Sequence, residues 1–77
     1  MTLSPHPSVT KVTVLINGDP FVCLKNTSLA SLLNYLDFDF RQIVIEYNSE
    51  IIKKEKLNNI EIKDHDVVEI VTIVGGG

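Results

Sequence analysis

Residues 11–36 read KVTVLINGDPFVCLKNTSLASLLNYL, and two periodicities follow one another in this stretch. From Lys11 to Ile16, β-branched residues alternate with period two, which places Val12, Val14 and Ile16 on one face of a strand. Asn17-Gly18 comes next and is a strong hairpin signal, because both central positions of a type I′ turn require positive φ. Asp19-Pro20 is expected to prolong the turn, and Phe21 to Lys25 to return as the second strand. Asn26, Thr27 and Ser28 can each accept the first free N–H groups of a helix. Leu29, Leu32, Leu33 and Leu36 then fall at i, i+3, i+4 and i+7, with Ala30, Ser31, Asn34 and Tyr35 on the other side. The stripe ends at Asp37-Phe38-Asp39-Phe40, so the expected helix has about ten residues, too few to stand alone in water, and must pack on a sheet.

Downstream, Ile43 to Tyr47 reads as a third strand closed by the Asn48-Ser49 turn, and Glu50 to Lys53 as a brief pairing segment. Lys54 to Asn59 is expected as a charged connection, Ile60-Glu61-Ile62 as a short extended piece, and Asp64-His65-Asp66 as a tight turn. Val67 to Val74 has the composition of a final strand. Residues 1–10, with Pro5 and Pro7, read as a loose lead-in, 11–74 as one domain, and 75–77 as a flexible glycine tail. The class is α+β: a mixed sheet of four to five strands with one main helix on one face.

Composition narrows the function. At 77 residues and 8.6 kDa there is one domain and little room for a deep catalytic cleft. A net charge of −3 and a pI near 5.1 argue against a phosphate-backbone partner, so no nucleic acid is expected. Cys23 is the one cysteine, which rules out an internal disulfide and a cysteine-based zinc cage. No apolar run approaches membrane-spanning length and no signal-peptide pattern opens the chain. A cytoplasmic protein is expected. The abundance of Ile, Asn and Lys hints at an AT-rich genome, bacterial or plastid, so a plastid stroma is the other compartment in view.

The end of the chain is its most informative chemistry. Gly75, Gly76 and Gly77 follow a strand directly, and a backbone without side chains can thread a narrow channel. The reactive group is then the α-carboxylate of Gly77. A carboxylate is a poor electrophile until it attacks the α-phosphate of ATP and becomes an acyl-adenylate, open to a sulfur nucleophile. With no phosphate-binding loop in the chain, an outside enzyme must hold the ATP. The bland alternative is a frayed end. Cys23 reads as a structural thiol, because no basic neighbour lowers its pKa. His6 and His65 lack metal-ligand spacing, Asp37 with Asp39 and Asp64 with Asp66 are turn residues, and Lys53, Lys54 and Lys56 are a solvated cluster. No catalytic side chain and no bound cofactor or metal are expected.

Ile16-Asn17-Gly18, Ser28 to Leu33, Ile43 to Asn48, Asp64 to Val71 and Val74 to Gly77 occur in an order that resembles the ThiS family. These are sulfur carriers of thiamine biosynthesis with the ubiquitin-like β-grasp fold. The resemblance covers nearly everything after Lys11. It implies that a ubiquitin-activating-like adenylating enzyme activates Gly77, which becomes a thiocarboxylate and donates sulfur to thiazole synthase. Two positions depart from the family pattern: His65 stands where Gly is usual between the two acids, and Ser49 where Gly is common. The small subunit of molybdopterin synthase and a protein-conjugating modifier share the fold and tail. A plain β-grasp interaction module is the alternative from another class. With Val68, Ile70, Ile43 and Ile45 inward, the outer face would carry Glu69 and the apolar Leu15, Val44, Val71 and Ile73. Those four read either as a docking patch for the enzyme and the synthase, or as β-branched residues that simply favour strands.

Overall fold

The computed structural model describes residues 10–73. The strands are β1 (Lys11–Ile16), β2 (Asp19–Leu24), β3 (Ile43–Tyr47), β4 (Glu50–Ile52) and β5 (Asp66–Thr72), and the helix α1 is Leu29–Tyr35. They form one five-stranded sheet in the order β2-β1-β5-β3-β4. β1 and β5 run parallel in the centre, while every other pairing is antiparallel. This is the mixed sheet and single main helix of the ubiquitin-like β-grasp fold.

Asn17 and Gly18 have φ of 50° and 87°, so the β1–β2 turn has the backbone that its sequence demands. It is tighter than expected. Asp19 and Pro20 lie in β2 opposite Ile16 and Leu15, and Pro20 is tolerated because β2 is an edge strand with no outer neighbour to bond.

The helix is shorter than its leucine stripe suggests, seven residues rather than about ten. The Ser28 hydroxyl accepts from the Ser31 N–H at its start. At its end Asp37 turns to φ 70°, its N–H bonds the Asn34 carbonyl, and the Phe38 N–H bonds the Leu33 carbonyl. That pattern is a Schellman stop, here built on Asp in place of Gly. Leu29, Leu32 and Leu33 are buried against Val12, Val14, Ile16, Ile43, Ile45, Val68 and Ile70, while Leu36 is only half-buried.

The segment between β4 and β5 departs most from expectation. Lys54–Asn59 is a 3₁₀ turn that buries Leu57, not a plain connection. Ile60-Glu61-Ile62 forms no strand. Glu61 makes a single bridge to Ser28, and Ile62 drops into the core. β5 starts one residue earlier than expected, at Asp66, and its ladder ends at Thr72. Residues 1–9 and 74–77, which hold most of the expected lead-in and the glycine tail, lie outside the described residues.

Candidate functional site

β5 leads to the tail, and its last turns are held tightly. Residues 43–47 of β3 pair with 72–68 of β5, and beyond the ladder the Ile73 N–H donates to the Gln42 carbonyl at 2.7 Å. Gln42 is placed by a short 3₁₀ turn, Phe40–Gln42, capped by Asp39. The Asp39 carboxylate accepts from the Arg41 N–H and is paired with its guanidinium at 3.1 Å, which holds Asp39 below the usual carboxylate range. The chain is therefore anchored up to Ile73, and four residues follow to Gly77. Fully extended, they span at most about 14 Å.

The other side of β5 is anchored by Asn17. Its side chain accepts from the Ile70 N–H at 2.7 Å and donates to the Ile70 carbonyl at 3.2 Å, and its own N–H bonds the Val68 carbonyl. One asparagine thus continues the β1–β5 ladder after β1 has turned away.

The start of β5 is set by a buried acid. Asp66 is 7% exposed and accepts from the Tyr47 hydroxyl, the Asn48 side chain at 3.1 Å and the Lys63 N–H at 2.7 Å. Burial alone would raise its carboxyl pKa, but these donors reverse that and hold it below the ordinary 3.8. Burial and the bond to Asp66 push the Tyr47 hydroxyl well above its usual range, so Tyr47 stays a donor. Asn48 also accepts from the Val67 N–H at 2.8 Å. Tyr47-Asn48 and Asp66, separate in sequence, are one structural latch, while Asp64 and His65 bond the Thr13 backbone on β1.

The sheet face away from α1 is largely apolar and, among the described residues, uncovered. Leu15, Val71 and Ile73 are exposed and Val44 is half-buried, all on this face. The strand register adds four residues that the sequence reading did not single out. Val22 at 63% and Leu24 at 55% exposed come from β2, Ile51 from β4, and Val67 from β5 beside Leu15. The inward pair Phe21 and Cys23 could have signalled Val22 and Leu24, since alternate residues face opposite ways. Two charges sit in the middle. Glu46 and Glu69 are directly opposite across β3 and β5, a juxtaposition that only the register reveals.

The remaining candidates are quiet. Cys23 is half-buried opposite Val12, and burial pushes its thiol up, against a smaller lowering by Thr27. His65 makes an exposed pair with Asp64 at 3.2 Å. Among the described residues no three His, Cys, Asp or Glu side chains could hold a metal ion, and no helix is long and apolar enough to cross a membrane.

The model of the ThiS family matches residues 14–77, from the middle of β1 through the final glycine. This chain belongs to the ThiS family. A relative named the sulfur carrier protein ThiS, from Bacillus subtilis, is 38% identical over 80% of this chain and 96% of its own length. A relative from Porphyra purpurea named ycf40, with no described function, is 48% identical over 86% of this chain and 93% of its own. The chain is also 33% identical to one fifth of a Paramagnetospirillum magneticum protein named thiazole synthase. Among solved structures, the ThiS protein of Geobacter metallireducens superposes with a TM-score of 0.74 at 26% identity, over 86% of this chain and all of that one. The ThiS fold and the strand order above are the same architecture.

Proposed function

We propose that this chain is a sulfur carrier of thiamine biosynthesis whose C-terminal Gly77 is the reacting group. The Gly77 carboxylate oxygen attacks the α-phosphate of ATP on an adenylating enzyme and releases pyrophosphate. A sulfur nucleophile then displaces AMP from the acyl-adenylate and leaves a thiocarboxylate, which gives its sulfur to thiazole synthase. The chain is a co-substrate, and the ATP belongs to the partner enzyme. What carries this reading is the family match, which covers residues 14–77, together with the similarity to nearly all of the Bacillus subtilis carrier. The thiazole synthase that contains a similar segment supports the choice of acceptor. Anchoring of β5 up to Ile73 supports it physically, because a fixed base limits how far a short tail can stray from the surface its partner must engage.

In this reading Leu15, Val44, Val71 and Ile73 dock the carrier on its partners. Gly77 lies at most about 14 Å from Ile73 along the chain, so an enzyme that engages Gly77 must sit against the surface around the tail's root. Gly75 and Gly76 thread the channel. The compartment is a cytosol or a plastid stroma.

The test is the intact mass of the protein after incubation with the adenylating enzyme, ATP, magnesium and a sulfur donor. A species heavier by exchange of one oxygen for sulfur, localised to Gly77, is expected. An unchanged mass, where the Bacillus subtilis carrier is converted, would overturn the reading in favour of a plain interaction module.

A further inference from the structure

Glu46 and Glu69 face each other on the outer sheet face, half-buried and exposed respectively, and like charges directly opposite destabilise a sheet. Neither makes a salt bridge or a side-chain hydrogen bond among the described residues. Relief from within the sheet is absent too. Among the described strands Lys11 is the sole basic residue, and it sits at the far end of β1, opposite Leu24; Lys53, which follows β4, makes no salt bridge to either glutamate. Apolar side chains make up most of the pair's border: Ile51 opposite Glu46, Val44 and Val71 on the side toward the tail, and Val67 beside Asn48 on the other. An apolar border excludes water when a partner covers it, which strengthens any charge interaction inside.

The inference rests on the carrier reading and names the chemistry of the surface that covers this face. We propose that the adenylating enzyme docks here through a basic side chain, with arginine geometry best suited, placed between Glu46 and Glu69 and ringed by apolar contacts. The occupant is the enzyme that handles Gly77, because the Ile73 side chain lies on this face and four residues beyond it reach at most about 14 Å. A guanidinium can bond two carboxylates at once, so repulsion in the free carrier becomes attraction in the complex.

Two readouts of opposite sign test this on the full chain with the adenylating enzyme, ATP and magnesium. Glu69→Lys places opposite charges across the strands, so its melting temperature is expected at or above that of the unsubstituted protein. Its affinity for the enzyme is expected to fall by about ten-fold or more, with a matching loss in the rate of sulfur gain at Gly77. Glu46→Gln with Glu69→Gln removes the repulsion without adding a charge. It is expected to bind more weakly than the unsubstituted protein and to lose most of the salt dependence of binding. Should the lysine variant unfold, the glutamine pair decides alone. Binding by these variants within about two-fold of the unsubstituted protein overturns the proposal, and leaves the carrier reading intact if Gly77 still gains sulfur. If the unsubstituted protein itself gains no sulfur, the carrier reading falls and takes this proposal with it.

Discussion

Asp66 shows how one side chain can decide a strand's starting point. Its carboxylate collects a hydroxyl, a side-chain amide and a backbone N–H in a site where water is scarce. Asp66→Ala leaves those donors without a partner, and is expected to cost about 2–4 kcal/mol, read as a lower urea midpoint. Because the folded-state pKa lies below the ordinary 3.8, Asp66 contributes stability that is complete above that value and is lost as pH falls through the folded pKa. The melting temperature of the parent protein should therefore drop on acidification below about pH 4, and the drop should be smaller in Asp66→Asn. Ser49 and His65 hold φ of 75° and 72°, where glycine is favoured. Ser49→Gly and His65→Gly are each expected to stabilise by ~0.5 kcal/mol. Relief of left-handed strain outweighs the added freedom of the unfolded chain. A lower denaturant midpoint for either variant would show that local bonds, such as the His65–Asp64 pair, dominate instead.

At the scale of elements, the hairpin and the helix are legible in sequence because each is specified by neighbours. Asn17-Gly18 must turn, and Leu29, Leu32 and Leu33 must face inward. The helix end was less legible. Leu36 keeps the leucine period, yet the Schellman bonds to Asn34 and Leu33 close the helix around it. Leu57 and Ile62 are not legible as core residues in sequence, because Leu57 belongs to no periodic run and Ile60-Glu61-Ile62 is too short to fix an inward face. Asn17 does more than turn. Asn17→Ala removes both side-chain bonds to Ile70 and keeps a side chain at positive φ, so a loss of about 2 kcal/mol is expected. Hydrogen exchange should then rise first at the Ile70 amide, whose acceptor is gone. Equal exchange across the whole sheet would mean that Asn17 acts on the fold as a unit.

For the whole molecule, the division is between a face that folds the protein and a face that does not. Val71 is 60% exposed on the outer face, so Val71→Asp is expected to change stability by less than ~0.5 kcal/mol. The same change should weaken binding to the adenylating enzyme by about ten-fold, measured by titration calorimetry. If folding is lost instead, Val71 has a packing role that its exposure does not suggest.

Local chemistry makes the Asn17-Gly18 hairpin, the leucine face of α1 and the inward residues of β1, β3 and β5 legible from sequence, because these depend on alternation and turn residues. Tertiary structure alone decided the parallel pairing of β1 with β5, the union of Tyr47-Asn48 with Asp66, and the meeting of Glu46 with Glu69. Those depend on register between strands far apart in the chain. A shift of one residue would turn every side chain to the other face, and the buried side chains of the whole core together select the register.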